Sequence, residues 1–370
     1  MSKYNWQQPD WPHFKYDLTN SYNLLSSIAE KNGRIFGKLY HLDQSEQTEM
    51  MISLMVEEAV KTSEIEGDYI NSPDVRSSIR NQLGLNQQKI KVHDTRANGL
   101  AELMLDLRNT FNEPLSEEKL FDWHMMLMAS NPDHRLRVGY WRTHDEPMQV
   151  ISGQMGRTTV HFEAPPSENI IQEMANFIEW FNQSVINEPK EIAFGPVRSA
   201  IAHLYFESIH PFEDGNGRIG RAIAEKALSQ GLGYPVILSL SKAIEADKKA
   251  YYKALNIASH SNEITAWIEY FINIILAAQN RVEQQINFIL KKADYYKKYR
   301  TKLNGRQLKI IDRMLQAGEQ GFVGGMSAKK YMAITRISKA TATRDLQNLL
   351  ALGAIRQLGE GRSVRYELNI

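Results

Sequence analysis

The chain has no cysteine in 370 residues, which excludes disulfides, thiolate metal sites and cysteine nucleophiles together and suits a reducing compartment. Long apolar runs are missing too. The longest, "YFINIILAA" at 270–278, is broken by Asn273 and is too short to span a bilayer, and the opening "MSKYNWQQPDWPHF" has no apolar leader core. A soluble cytoplasmic protein with no membrane partner is the resulting expectation. Nor is there an excess of one charge. Lys plus Arg number 44 against 43 Asp plus Glu, so any charged partner must be read by a local patch. No GxxxxGK[ST] stretch, no GxGxxG opening a helix after a strand and no HExxH occurs, which removes the P-loop, dinucleotide-fold and zinc-hydrolase readings.

What is present is a globular composition, 42% hydrophobic and 24% charged, on a chain long enough for two or three domains. Helical spacing dominates residues 20–130. In "SYNLLSSIAEKNGRIFGKL" and "QTEMMISLMVEEAVKTSEIEG" apolar residues recur three and four apart, and Gly67 stands where the second helix should stop. "SPDVRSSIRNQLG" predicts a short helix with Ser72 as N-cap, Pro73 at its first position and Gly84 at its end. Between Val138 and Pro166 the pattern alternates, predicting a hairpin with "SGQMG" as its loop. Helical pattern resumes through "NIIQEMANFIEWFNQ", "PVRSAIAHLYFESI", "RIGRAIAEKALSQG" and the segment 266–292. A basic link at 291–306 precedes three short helices and a terminal hairpin, the order of a winged helix-turn-helix, with Ser338 capping the helix that would read DNA and "GEGR" at the wing tip.

The stretch "HPFEDGNGRIGR", 210–221, joins the end of one predicted helix to the start of the next. Gly215 and Gly217 allow consecutive N–H groups to face one concavity, a nest at a helix N-terminus that favours anions. Arg218 and Arg221, three apart, project from one face of the first turn and match phosphate oxygens with their forked donors. Asp214 is a hard carboxylate suited to Mg²⁺ beside phosphates, and His210 is the one side chain here with an ordinary pKa near neutrality, hence the natural general base. An anion, a cation and a proton acceptor meeting at a helix start point to phosphoryl or nucleotidyl transfer to a hydroxyl.

These residues resemble the Fic family motif HPFx[DE]GNGRxxR at every defined position. The resemblance implies a mainly α fold: a helical core with one β-hairpin flap, an N-terminal helical extension and a C-terminal winged helix domain. It implies transfer of AMP from ATP, with Mg²⁺, to a hydroxyl of a target protein. His210 would be the base, Asp214 the metal ligand, and Gly215 to Gly217 the anion hole, with Asn216, Arg218 and Arg221 on the phosphates and Phe212 anchoring the loop. Glycine at 217, where the phosphotransferase branch resembling Doc toxins carries lysine, favours nucleotidyl transfer. In "YYKALNIAS" the resemblance assigns Tyr252 to the adenine pocket.

A second short stretch, "TSEIEG" at 62–67, places Thr62 and Glu66 four apart on one helical face with Gly67 ending the helix. It matches the Fic inhibitory motif [ST]xxxE[GN], and the resemblance implies that Glu66 occupies Arg221 and misplaces the nucleotide. The implied division is 1–92 as N-terminal extension with an inhibitory helix at about 48–67, 93–290 as catalytic core, 291–306 as linker and 307–370 as winged helix. His203, seven residues before His210, is read as structural. The last domain carries Lys329, Lys330, Arg336, Lys339, Arg344, Arg356, Arg362 and Arg365, suited to duplex phosphates, with Thr341, Thr343 and Arg344 on the reading helix, but Asp345, Glu360 and Glu367 lie among them and a protein-docking or dimer role is as open as DNA binding. ATP, an unnamed target protein, DNA and a second copy of the chain stay open as partners. So do a nucleotide-sensing DNA-binding regulator and an AMP-removing hydrolase as alternatives to the auto-inhibited transferase.

Overall fold

A computed structural model describes residues 3–131, 135–154, 157–318 and 321–370. The chain divides into two units, residues 1–34 with 43–280 and residues 35–42 with 281–370. In chain order the helices up to the hairpin are α1 (Tyr22–Leu39), α2 (Gln44–Ile65), α3 (Ser72–Gln82), α4 (Arg96–Asn109) and α5 (Glu117–Met128). The hairpin is β1 (Gln149–Gln154) and β2 (Arg157–Glu163), followed by α6 (Ile170–Gln183), α7 (Gly195–Ile209), α8 (Asn216–Leu232), α9 (Leu240–Ala246), α10 (Lys248–Ala258) and α11 (Thr265–Tyr299). Last come α12 (Gly305–Leu315), α13 (Ala328–Thr335), α14 (Lys339–Ala351), β3 (Ile355–Leu358) and β4 (Arg365–Leu368).

The first unit is built round α7, every residue of which is buried. Apolar residues of α2, α3, α4, α5, α6 and α8, among them Ile52, Val75, Leu103, Trp123, Phe177 and Ile223, join Phe206 and Phe212 in one core. Helix α2 and the segment after residue 93 therefore share a core. Glu58 of α2 is buried and accepts hydrogen bonds from Ser239 Oγ (2.7 Å) and from the N–H of Ser241 (2.9 Å) at the start of α9. A carboxylate at that helix N-terminus pins α2 in place. The aromatic N-terminal segment packs onto α7 as well: Asn5 donates to Ser208 Oγ (2.7 Å) and Trp11 meets Tyr205 edge-on.

Three local expectations are corrected. α3 starts at Ser72, so Asn71 takes the N-cap place and Ser72 is already helical, with Pro73 behind it where its missing N–H costs nothing. The hairpin strands run further than expected, β1 through Gln154 and β2 from Arg157, so "SGQ" is strand and residues 155 and 156 lie outside the described residues. α8 begins at Asn216, two residues early, because Gly215 already supplies the turn.

In the second unit α12, α13 and α14 enclose Ile310, Met314, Tyr331, Leu346 and Leu349, and β3 pairs antiparallel with β4 from Ile355 opposite Leu368 to Leu358 opposite Arg365. Ser338 Oγ accepts from the N–H of Thr341, capping α14 as expected. The 291–306 link is for most of its length the end of α11. Its tyrosines belong to this core: Tyr295 donates to the Ala354 carbonyl (2.7 Å) and Tyr299 to that of Gly353 (2.9 Å).

Candidate active site

The motif loop owes its shape to residues far away in sequence. His210 ends α7 in the left-handed region, φ 52° and ψ 59°, which costs a residue with a Cβ about 1–2 kcal/mol. Arg142, 1% exposed, holds it there. Its Nε donates to the His210 carbonyl (2.9 Å), its other nitrogens to Ser167 Oγ (2.9 Å) and the Pro165 carbonyl (2.5 Å), and its own N–H to the Pro211 carbonyl (2.9 Å). Burial lowers the Arg142 pKa to about 10, which leaves it charged at neutrality. Phe212 is fully buried and stacks on His124, with ring centres 4.1 Å apart. The N–H of Gly139 donates to His124 Nδ1 (2.9 Å), so the ring carries its proton on Nε2, which donates to the Asp214 carbonyl (3.2 Å). Burial depresses His124 to about 4 and keeps it neutral. Gly215 is left-handed, φ 83°, and a Cβ there would press on Met128 Cε.

Asn216 departs from expectation. Its side chain is buried and closes the loop on itself, Nδ2 donating to the Phe212 carbonyl (2.8 Å) and Oδ1 accepting the Phe212 N–H (2.9 Å). Both ends of the amide are thus used within the loop, which leaves the backbone of this residue, not its side chain, to face an anion.

His210, Asp214 and Gly215 to Gly217 meet at one cavity of about 690 Å³, whose wall also includes Glu66, Phe162 and Tyr252. That volume suits a nucleotide-sized ligand. His210 Nδ1 lies 3.3 Å from the Glu207 carbonyl oxygen, which favours the proton on Nδ1 and the lone pair on Nε2. Burial lowers its pKa to about 4, so the ring is a free base at neutral pH. Asp214 is half exposed, and its Oδ1 accepts the Gly215 N–H (2.6 Å) with Arg218 3.5 Å away. Among the described residues no group of three or more His, Asp or Glu could hold a metal ion. A divalent cation fits here as one carboxylate plus phosphate oxygens, the usual manner of Mg²⁺.

Two carboxylates from the end of α2 reach the arginines. Glu66 is the C-cap of α2 and Gly67 follows with φ 90°. Glu66 Oε1 lies 2.7 Å from Arg221, which also donates to Thr62 through Nε to Oγ1 (2.8 Å) and to the Thr62 carbonyl (2.9 Å). Burial opposes the Arg221 charge, but Glu66, together with Tyr251 and Glu207, more than offsets this and raises the guanidinium pKa above its ordinary value. A Cβ at Gly217 would collide with the same Glu66 oxygen, so only glycine lets that carboxylate rest on the first turn of α8. Asp68, not anticipated from sequence, lies 3.0 Å from Arg218. Tyr252, from α10, donates to the Ile65 carbonyl (3.2 Å) at the cavity wall. His203 is fully buried against the Tyr251 hydroxyl (2.8 Å).

Residues 114–228, which hold this loop and its braces, match the family described as Fic/DOC. The chain carries a Fic domain. Residues 4–85, with the Glu66 helix, match a domain of unknown function (DUF4172), and residues 315–369 match the C-terminal domain of transcriptional regulators like DIP2311. Protein adenylyltransferase fic-1 of Caenorhabditis briggsae is 30% identical over 114 residues, 30% of this chain and 20% of that protein. Protein adenylyltransferase Fic of Nematostella vectensis is 24% identical over 201 residues, 54% of this chain and 42% of that protein. The chain thus spans less than half the length of these relatives. A Fic family protein of Desulfovibrio desulfuricans G20 shares the fold, with a TM-score of 0.54 over 97% of this chain and 98% of that one at 19% identity. A Fic domain containing signaling protein of Bacteroides thetaiotaomicron VPI-5482 also has a TM-score of 0.54, covering 73% of this chain and 97% of its own at 16% identity. Among the described residues no helix is long and apolar enough to cross a membrane.

His124 and Arg142 escaped the sequence reading because each acts on the loop across more than 65 residues. The only local signals were a histidine inside the apolar "FDWHMMLM" and an arginine closing "GYWR".

Proposed function

We propose that the Fic domain transfers AMP from ATP to Ser, Thr or Tyr hydroxyls of a target protein and of itself, and that Glu66 holds this activity off. The observation that carries the reading is one cavity lined by a neutral His210, the Asp214 carboxylate and Gly215 to Gly217 at the start of α8, the helix that carries the buried Arg218 and Arg221. A target hydroxyl entering beside His210 loses its proton to Nε2 as its oxygen bonds to the α-phosphorus. The bond from that phosphorus to the β-phosphate bridging oxygen breaks, and pyrophosphate leaves. Arg218, Arg221 and the first N–H groups of α8 hold the phosphates in line. Asp214 would hold a Mg²⁺ ion, which would supply charge neutralisation at the phosphates.

Glu66 opposes this by taking the Arg221 nitrogen and the helix N-terminus that the terminal phosphate needs. The parts 1–92, 93–290, 291–306 and 307–370 then act as regulatory extension, catalytic core, link and winged helix, and Tyr252 forms one wall of the adenine subsite. Mass spectrometry of lysate treated with ATP and the Glu66→Gly variant tests the reading through the peptides that gain AMP. Peptides gaining phosphate alone, or a different nucleotide, would overturn the donor.

Asp68 adds a smaller brake of the same kind. It is 42% exposed, so its pairing with Arg218 is solvent-screened and weak. Asp68→Asn is expected to lower the ATP KM about two- to threefold with little change in kcat, a shift of well under 1 kcal/mol that suits such a pair. An unchanged KM would remove Asp68 from the mechanism.

A DNA-binding role for the second unit has its own support in the regulator match at 315–369. Lys339, Thr343 and Arg344 are exposed on α14. Other basic residues are committed: Lys330 donates to the Val323 and Gly325 carbonyls (2.7 and 2.9 Å), and Arg356 pairs with Glu367 opposite it (3.0 Å). Thr341 serves the Ser338 cap, Asp345 is buried on Arg306, and the Arg362 side chain lies outside the described residues. Arg344→Ala is expected to weaken duplex binding about tenfold, and affinity should fall steeply with salt. Salt-independent binding, or none, would leave the unit as a protein-docking module. The Fic cavity could also run in reverse, with His210 and Glu66 positioning a water that removes AMP. Release of AMP from a modified protein faster than its formation would favour that direction.

A further inference from the structure

His203 and Glu207 stand four apart on one face of α7, and His210 caps the C-terminal end of that helix. AMP transfer as derived above uses only the last. Glu207 is 8% exposed and lines the cavity. Its Oε2 lies 3.7 Å from His210 Nδ1, and its Oε1 is buried with no hydrogen-bond partner. Buried carboxylate oxygens seldom stay unpartnered unless a site uses them. Room for this one comes from Gly220 of α8, where a Cβ would stand 2.5 Å from Oε1 and 3.1 Å from His203 Nδ1. His203 Nδ1 and Arg221 Nη1 are buried without partners as well.

We propose that Glu207 is a positioning residue for the transfer, a carboxylate behind His210 that holds the imidazole and stabilises the imidazolium formed when Nε2 takes the target's hydroxyl proton. This rests on the AMP-transfer reading. The carboxylate faces the Nδ1 side of the ring and the target faces Nε2, so Glu207 acts through His210 and never touches the nucleophile. The proton stays on the imidazole while the oxygen–phosphorus bond forms and pyrophosphate departs, and the pair of charges keeps the ring from turning.

The charges around Glu207 link it to the inhibitory helix. Burial first and the Glu66 charge second push the Glu207 pKa up to about 8, against the pull of Arg221. His203 from the same helix is held neutral near 3 by burial, and Arg142 and Asp214 act on His210 from the pre-hairpin segment and the motif loop. Tyr251, from α10, is kept protonated by burial and by Glu207 itself. With Glu66 in place Glu207 is therefore protonated at neutral pH and gives His210 little support. Withdrawing Glu66 removes a repelling carboxylate and, with the burial unchanged, shifts Glu207 toward its ionised form. Since the ionised form is the working one, transfer should rise with pH through this titration.

The test uses α-labelled ATP and the full chain with Glu66→Gly as parent. Glu207→Gln is expected to lower kcat about tenfold with the ATP KM within about twofold, and to erase the rising pH limb. Glu207→Asp should keep the limb at an intermediate rate. A Glu207→Gln variant with the parent's kcat and pH profile would overturn the proposal. So would one that loses only thermal stability or ATP affinity while keeping the limb, since that is structural support alone. An inactive Glu66→Gly parent would instead sink the transferase reading. NMR titration of the His210 ring in the chain that keeps Glu66 still decides the contact in that case: Glu207→Gln must remove the shift change that His210 shows near pH 8, and an unaltered titration refutes the pairing.

Discussion

The Glu66→Gly variant should incorporate AMP from ATP at about 10 to 100 times the rate of the parent chain. Glu66 makes one close contact with a fully buried guanidinium, 2.7 Å to Arg221, and rests its carboxylate on Gly217. A hydrogen bond to a charged group contributes about 1.5–3 kcal/mol, and removing that much competition for the phosphate corresponds to roughly one to two decades in rate. Arg221 does not collapse when Glu66 goes, because Thr62 still accepts from it through both hydroxyl and carbonyl. The guanidinium thus keeps its place beside Gly217, which lines the cavity, and gains a vacant face. Incorporation of label from α-labelled ATP into the chain and into lysate proteins measures the effect. Equal incorporation by parent and variant would end the assignment of Glu66 as a brake.

His210→Ala in the Glu66→Gly background should lose about 10²- to 10⁴-fold of that activity, the usual contribution of a positioned general base. ATP binding should persist, since the arginines and the α8 N-terminus are untouched. The loop itself should survive, because Arg142 grips the backbone carbonyl of residue 210 and not its side chain. Measuring nucleotide affinity by calorimetry beside turnover separates the two roles. Loss of affinity equal to the loss of turnover would make His210 a binding residue and leave the base unassigned.

Much of the site was legible in a dozen consecutive letters because its chemistry is local. A glycine that must adopt positive φ, a helix start, two arginines three apart and a histidine at a helix end all follow from short-range geometry. Most of the helices, the hairpin and the winged-helix order were legible for the same reason, since periodicity is a property of neighbours, while the short α9 was not. Asn216 was misplaced by that logic: a polar side chain next to an anion nest reads as a ligand until the fold shows it stapled to Phe212.

Local chemistry was written in the letters, and partnership across the chain was not. No spacing rule brings Asp68 to Arg218 over 150 residues or His124 to the Asp214 carbonyl over 90. Nor does one reveal that Arg142 braces His210, or that Glu207 is left with a bare buried oxygen behind it. Those contacts arise because α8, packed along the buried helix α7, also meets α2 and α5 beside the motif loop. Burial then changes what each polar group does: it keeps His210 a free base, protonates Glu207 and gives Arg221 its need for a carboxylate. Sequence named the reactive groups, and packing in three dimensions set their charges and partners.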